Sequence, residues 1–241
     1  MRLPRSVCGL FALLATPVVL AGSQVWVIGG GSTPSNSQAQ IELNVKWSID
    51  VLRQDHRRLH VYYTGGPDAR QDVRSWTRPE ESKTSLQPLA RVFGDQEANG
   101  DRYYDHTIPV VKGSTVAASL QQQLATDFAT LKPGDRATIV YNGHGLRDKT
   151  DPSRNTLQLW NDTQLSVHDL DELLTRIPAT VPVRFVFTQC YSGGFARLIR
   201  PKTRDVATLG TGLRCRFMAE AEDKEAEGCA ASIEIGDYRD Y

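Results

Sequence analysis

The chain has 241 residues, 40% of them hydrophobic and 23% charged, with 28 basic and 28 acidic side chains. That length suits one domain, and that composition a folded protein and not a disordered one. The formal charge of zero supplies no basic field for nucleic acid and no acidic field for cationic partners, so neither is expected.

Residues 1–23 read as an export signal. Arg2 and Arg5 form a basic start, residues 10–20 are apolar but too few to span a bilayer, and Val19-Leu20-Ala21 places small residues where a signal peptidase cuts. The mature form, residues 24–241, is therefore expected to be periplasmic or extracellular and off the membrane; an uncleaved anchor is the alternative. Cys8 stands outside any lipidation context. Loss of the leader leaves Cys190, Cys215 and Cys229, an odd set that leaves one thiol over in an oxidising compartment. The simplest division pairs Cys215 with Cys229 and frees Cys190. Three reduced thiols are the alternative.

Residues 25–28 form a short apolar strand that runs into Gly29-Gly30-Gly31. These glycines lack the spacing of a dinucleotide fingerprint and the Lys of a P-loop, so they are expected only to open the first loop. Ile41, Val45, Ile49 and Leu52 predict a helix over 38–53, with Ser37 and Gln40 as a capping box. Residues 59–63 are a second strand, stopped by Gly65-Gly66-Pro67. Residues 67–112 have few periodic apolar positions and read as a long surface insertion. Leu120, Leu124, Phe128 and Leu131 predict a helix over 115–131, capped by Ser114 and ended at Lys132-Pro133-Gly134.

Residues 137–141 make a strand with His144 just beyond it. A surface hairpin is expected over 157–165, turning at Asn161-Asp162. Ser166 and Asp169 cap a helix over 167–177, and residues 183–188 form the strand that leads to Cys190. A further strand is expected at 206–209. The tail 231–241 reads as the approach to more structure, so the domain is expected to be cut short at its C-terminus. Alternating strands and helices predict a mostly parallel sheet with helices on both faces, with ligands beyond the carboxyl ends of the strands.

His144 and Cys190 both fall at such ends, 46 residues apart, far enough for one crossover between adjacent parallel strands about 5 Å apart. A sulfur nucleophile beside an imidazole is what thiol catalysis of acyl transfer requires. Gly143, Gly145, Gly193 and Gly194 leave room for a substrate backbone, and the N–H groups of Gly145 and Cys190 are candidate oxyanion donors. The structural alternative is a core cysteine and a hydrogen-bonded histidine, the commoner fate of each type taken singly. His56 and His60 have a metal-compatible spacing but straddle a helix end, and His106 and His168 read as surface residues. No G-x-S-x-G turn for a serine hydrolase is present.

Asn142-Gly143-His144-Gly145 after one strand and Gln189-Cys190-Tyr191-Ser192-Gly193 after another resemble the legumain/caspase-type cysteine peptidases, and most of all their legumain-like branch, over most of the chain from Val25 onward. The resemblance implies a caspase-like three-layer α/β sandwich, Cys190 as nucleophile, His144 as general acid–base and Asn36 as an aid to its orientation; for Asn36 the alternative is a plain helix cap. It also implies an endopeptidase, exported on the strength of the leader, that needs no cofactor and acts on a peptide or protein substrate, with a ligase or transamidase variant and an inactive binding module as alternatives. In the legumain branch a charged pair lines the pocket for Asn. Gln38 and Thr188 stand at those positions, so both charges are missing here. Gln189 resembles the Gln before the caspase nucleophile, one register away, and Asp237 is a candidate pocket wall for a basic residue or, alternatively, turn chemistry beside Gly236.

Overall fold

The computed structural model describes residues 22–53, 58–76, 89, 92–94, 100–200 and 214–226. Along the chain the strands are β1 (Ser23–Gly30), β2 (Arg58–Tyr63), β3 (Val73–Trp76), β4 (Asp101–Tyr104), β5 (Val111–Gly113), β6 (Arg136–Leu146), β7 (Thr156–Leu159), β8 (Thr163–Ser166), β9 (Val183–Phe187) and β10 (Arg214–Met218). The helices are α1 (Ala39–Arg53), α2 (Ala117–Phe128) and α3 (Val167–Leu174), with shorter 3-10 turns at Pro34–Asn36, Pro152–Arg154 and Ser192–Ile199.

The main sheet runs β10-β9-β6-β1-β2-β5 and every neighbouring pair on that path is parallel. Alternation along the strands divides the core into two layers. Val25, Val27, Val61, Tyr63 and Val140 face α1 through Ala39, Ile41, Val45 and Ile49. Trp26, Ile28, Tyr62, Ile139, Tyr141, Phe185 and Phe187 face the other way, onto Leu120, Leu124 and Phe128 of α2 and Val167, Leu170 and Leu174 of α3. This is the expected α/β sandwich of three layers, with a mostly parallel sheet and helices on both faces.

One polar cluster is set into the second layer, open to solvent at Lys112. Asp127 on α2 accepts hydrogen bonds from Trp26 Nε1 (3.1 Å), Tyr62 Oη (2.7 Å) and Lys112 Nζ (2.6 Å), and pairs with His60 Nδ1 (3.1 Å). His60 stacks on Trp26, and its Nε2 reaches Gln24 Oε1. His60, one half of the pair weighed for a metal, is thus a buried partner of a carboxylate; His56 lies outside the described residues.

Several sequence expectations need correction. The helix predicted from 115 begins at Ala117 with Val116 at its N-cap, and the Ser114 hydroxyl accepts the Val116 N–H instead of capping the first turn. The hairpin expected on the surface puts Leu157, Leu159 and Leu165 into the core, because its inner side closes over α3. The insertion contributes a small antiparallel ribbon, β3 with β4, and an edge strand, β5, on the main sheet. His106, expected at the surface, has a nearly buried ring that pairs with Asp72 at 2.7 Å and packs on Tyr63, since a charged partner on the neighbouring loop makes burial tolerable. His168 is exposed, as expected. Residues 206–209 and the tail 231–241 lie outside the described residues.

Candidate active site

β6 does not stop at Tyr141. Its first part pairs with β1 and β9, while His144, Gly145 and Leu146 continue beyond the sheet and pair antiparallel with Gln158, Leu157 and Thr156 of β7. His144 is thereby held on an ordered ribbon and not on a loose loop. The buried Tyr141 hydroxyl lies 2.9 Å from the His144 carbonyl and 2.7 Å from that of Gln158, bracing the ribbon from below.

The imidazole Nε2 of His144 lies 2.8 Å from the Asn36 carbonyl oxygen and 2.9 Å from Gln38 Oε1. A carbonyl only accepts, so Nε2 carries the hydrogen and the neutral ring keeps its lone pair on Nδ1. Burial pushes the His144 pKa below its ordinary value, and the hydrogen bond to Asn36 offsets part of that shift. A neutral ring with a free basic nitrogen is the form in which an imidazole can take a proton from a thiol.

The second strand end is joined to the first by Thr188. Its N–H donates to the Tyr141 carbonyl (3.2 Å), and its hydroxyl lies within 3.1 Å of that oxygen and 3.2 Å of Asn142 Oδ1. Cys190 follows two residues later. Gly145 packs directly against it: a β-carbon on Gly145 would overlap the Cys190 carbonyl oxygen and come within 2.7 Å of Gln189 Cγ. The backbones that bear the imidazole and the sulfur are thus in contact one residue from His144. Gly145→Ala should push them apart and lower stability by about 1–3 kcal/mol, the usual cost of overpacking a tight contact, measurable by denaturant unfolding.

Cys190 is 6% exposed, and its sulfur is disulfide-bonded. Cys215 is a free, exposed thiol on the edge strand β10. This reverses the expected division, in which Cys190 was the free thiol and Cys215 the bonded one. The physical reason is placement: the edge strand turns Cys215 to solvent, whereas Cys190 sits in a turn covered by a second segment of chain.

That cover is residues 219–226. Tyr191 N–H donates to the Lys224 carbonyl (2.8 Å) and its hydroxyl to Glu225 Oε1 (2.6 Å). Ser192 Oγ exchanges hydrogen bonds with the backbone of Glu220, and Asn155 Nδ2 donates to the carbonyls of Tyr191 (3.2 Å) and Glu222 (3.0 Å). The Ala226 N–H points at the Cys190 sulfur from 3.4 Å. Tyr191 itself is left-handed, at φ 58°, a conformation that costs a non-glycine residue on the order of 1 kcal/mol and is held here by these contacts.

The residues expected to line a substrate pocket are placed as follows. Gln38 turns its amide oxygen to His144. Thr188 ties the strand ends. Gln189 is fully buried, and its amide has no hydrogen-bond partner among the described residues. Asp237 lies outside the described residues. Asn36 meets His144 through its backbone carbonyl, while its side chain bonds Thr33 N and Ser32 Oγ within its own loop. Sequence reasoning missed Ser32, Asn155 and Gln158. Only the polar spacing of the β7 ribbon hinted at Gln158, and nothing local marks the others.

No family model matches the chain, and no curated protein is similar to it. Among solved structures, it is similar to protein GSU0716 of Geobacter sulfurreducens, with 13% identity, a TM-score of 0.42 and coverage of 70% of this chain and 50% of that one. It is also similar to a secreted C11 cysteine protease from Bacteroides thetaiotaomicron bound to an irreversible peptide inhibitor, with 16% identity, a TM-score of 0.39 and coverage of 75% and 47%. The chain spans about half the length of each.

Proposed function

We propose that the chain is a cysteine endopeptidase of the caspase-like type, exported and latent while Cys190 is disulfide-bonded. The observation that carries this reading is the seat of His144: Nε2 is tied to Asn36 and Gln38, Nδ1 is left basic, and the adjoining Gly145 lies against Cys190. The finer assignment to a legumain-like branch rests on the two sequence motifs alone.

Reduction by a dithiol frees the Cys190 thiol and closes a disulfide on the reductant. His144 Nδ1 takes the thiol proton, and the sulfur attacks the scissile carbonyl carbon. The C–N bond breaks as the imidazolium returns that proton to the leaving amine, which leaves a thioester. Water, deprotonated by His144, hydrolyses the thioester and restores the thiol. An amine in place of water would give transpeptidation. Buried Gln189, beside both backbones, helps to shape the wall of the gap.

A digest of a peptide library by the reduced protein, read by mass spectrometry, tests the reading. Cleavage products are expected, together with rapid labelling of Cys190 by an acyloxymethyl-ketone peptide that is lost in His144→Ala. An intact library, with slow labelling indifferent to His144, would sink the peptidase reading and leave a binding module.

A further inference from the structure

Among the contacts that hold the loop receiving His144, one hydroxyl joins it to the β7–β8 hairpin. Ser32 is 1% exposed. Its Oγ donates to Asp162 Oδ1 (2.6 Å) and accepts from Asn36 Nδ2 (2.9 Å) and Gln158 Nε2 (3.0 Å). One donor and two lone pairs are all that a serine offers, and all three are in use. Asp162 also donates its backbone N–H to the Ser32 carbonyl (3.3 Å), so the β7–β8 turn grips this residue twice.

Each partner leads to the imidazole by a different route. Asn36, held through its side chain, presents the carbonyl that His144 Nε2 bonds. Gln158 is the residue directly across the ribbon from His144. Gly31, next to Ser32, packs so tightly on Asn36 that a β-carbon there would overlap its backbone. The first loop and the β7–β8 hairpin, distant in sequence, thus converge on one oxygen behind the histidine.

We infer that Ser32, anchored by Asp162, is a positioning residue for His144: it fixes the Asn36 carbonyl and the β7 ribbon so that the ring is held in one tautomer and one orientation. The inference depends on the peptidase reading for its rate measurement and not for its spectroscopic one. It goes beyond the direct contacts of His144, because the hydrogen bonds of Ser32 go to Asp162, Asn36 and Gln158 and not to the ring.

The test uses the reduced full chain with Ser32→Ala, Asp162→Ala and Asp162→Asn. Ser32→Ala and Asp162→Ala should lower kcat by about 10- to 100-fold, the scale of a small misplacement of a catalytic group, with KM changed by less than about twofold. Asp162→Asn, which keeps an acceptor for the hydroxyl, should recover most of the loss. In ¹⁵N spectra of the imidazole, wild-type His144 should show one tautomer, protonated on Nε2, and Ser32→Ala a mixture. Unchanged kcat with an unchanged ring spectrum would overturn the inference, as would a rise in KM alone. If Ser32→Ala fails to fold, the Asp162 pair at the exposed turn decides. If the wild type cleaves nothing, the peptidase reading fails, and the ring spectra alone decide the role of Ser32.

Discussion

Peptidase activity should be absent from the oxidised protein, appear on addition of a dithiol, and fall at least about a thousandfold in Cys190→Ala and His144→Ala. The magnitude follows from the behaviour of residues that act as one catalytic unit, where loss of either member removes nearly the whole chemical contribution. The oxidised protein is expected to be inert for two reasons: the sulfur is already bonded and residues 219–226 lie across it. Cys215→Ala is the control, because its free thiol is exposed on the edge strand, and it should leave the rate unchanged. The pH profile carries a second signature. Burial holds the His144 pKa below its ordinary 6.5, and protonation removes the basic Nδ1. The acid limb of kcat/KM should therefore lie below pH 6.5, the rate falling as pH drops through it. A rate maintained in Cys190→Ala, or full activity without reductant, would refute this account.

The largest stability effect is expected at the opposite end of the sheet. Asp127→Ala should destabilise the fold by about 3–5 kcal/mol, the range for removal of one partner from a buried ion pair, nearer its lower end because Lys112 is partly solvated. The substitution leaves the ring N–H of Trp26, the hydroxyl of Tyr62 and the His60 imidazole without their shared acceptor. Burial would by itself raise the Asp127 pKa, but hydrogen bonds from His60, Lys112 and Tyr62 outweigh it and hold the carboxyl well below its usual range. A carboxylate with a depressed folded-state pKa contributes stability that is present above its unfolded value of about 3.9 and is lost as pH falls below it. Wild-type denaturation midpoints should consequently drop in acid more steeply than those of Asp127→Asn. Unfolding curves in denaturant at neutral and acid pH measure both effects, and equal midpoints for wild type and Asp127→Ala at neutral pH would contradict the account.

What was legible in the sequence follows from periodicity. The strand–helix alternation was readable because Val25, Trp26, Val27 and Ile28 alternate between two layers, and because Leu120, Leu124 and Phe128 share one face of a helix. The meeting of the two strand ends was readable from a crossover of ordinary length. The hairpin was mistaken for surface because its buried leucines are few and spaced by polar residues, which hides their burial from any local pattern. The seat of His144 was legible only in part. Asn36 was expected beside it, but the carbonyl contact and the part played by Ser32 depend on Asp162, 130 residues away in sequence, and no local pattern encodes that meeting. The cysteine division failed for a similar reason: counting thiols gives parity, whereas pairing depends on which sulfur faces solvent.

The segment across Cys190 has a consequence for affinity. Because its own residues occupy the space over the sulfur through main-chain hydrogen bonds, an incoming polypeptide must win that space from an intramolecular rival that is always present at high effective concentration. Apparent binding is weakened by the fraction of molecules in which the rival is lifted, so the proposed peptidase would favour substrates that are abundant or that bring contacts beyond the sulfur's immediate surroundings.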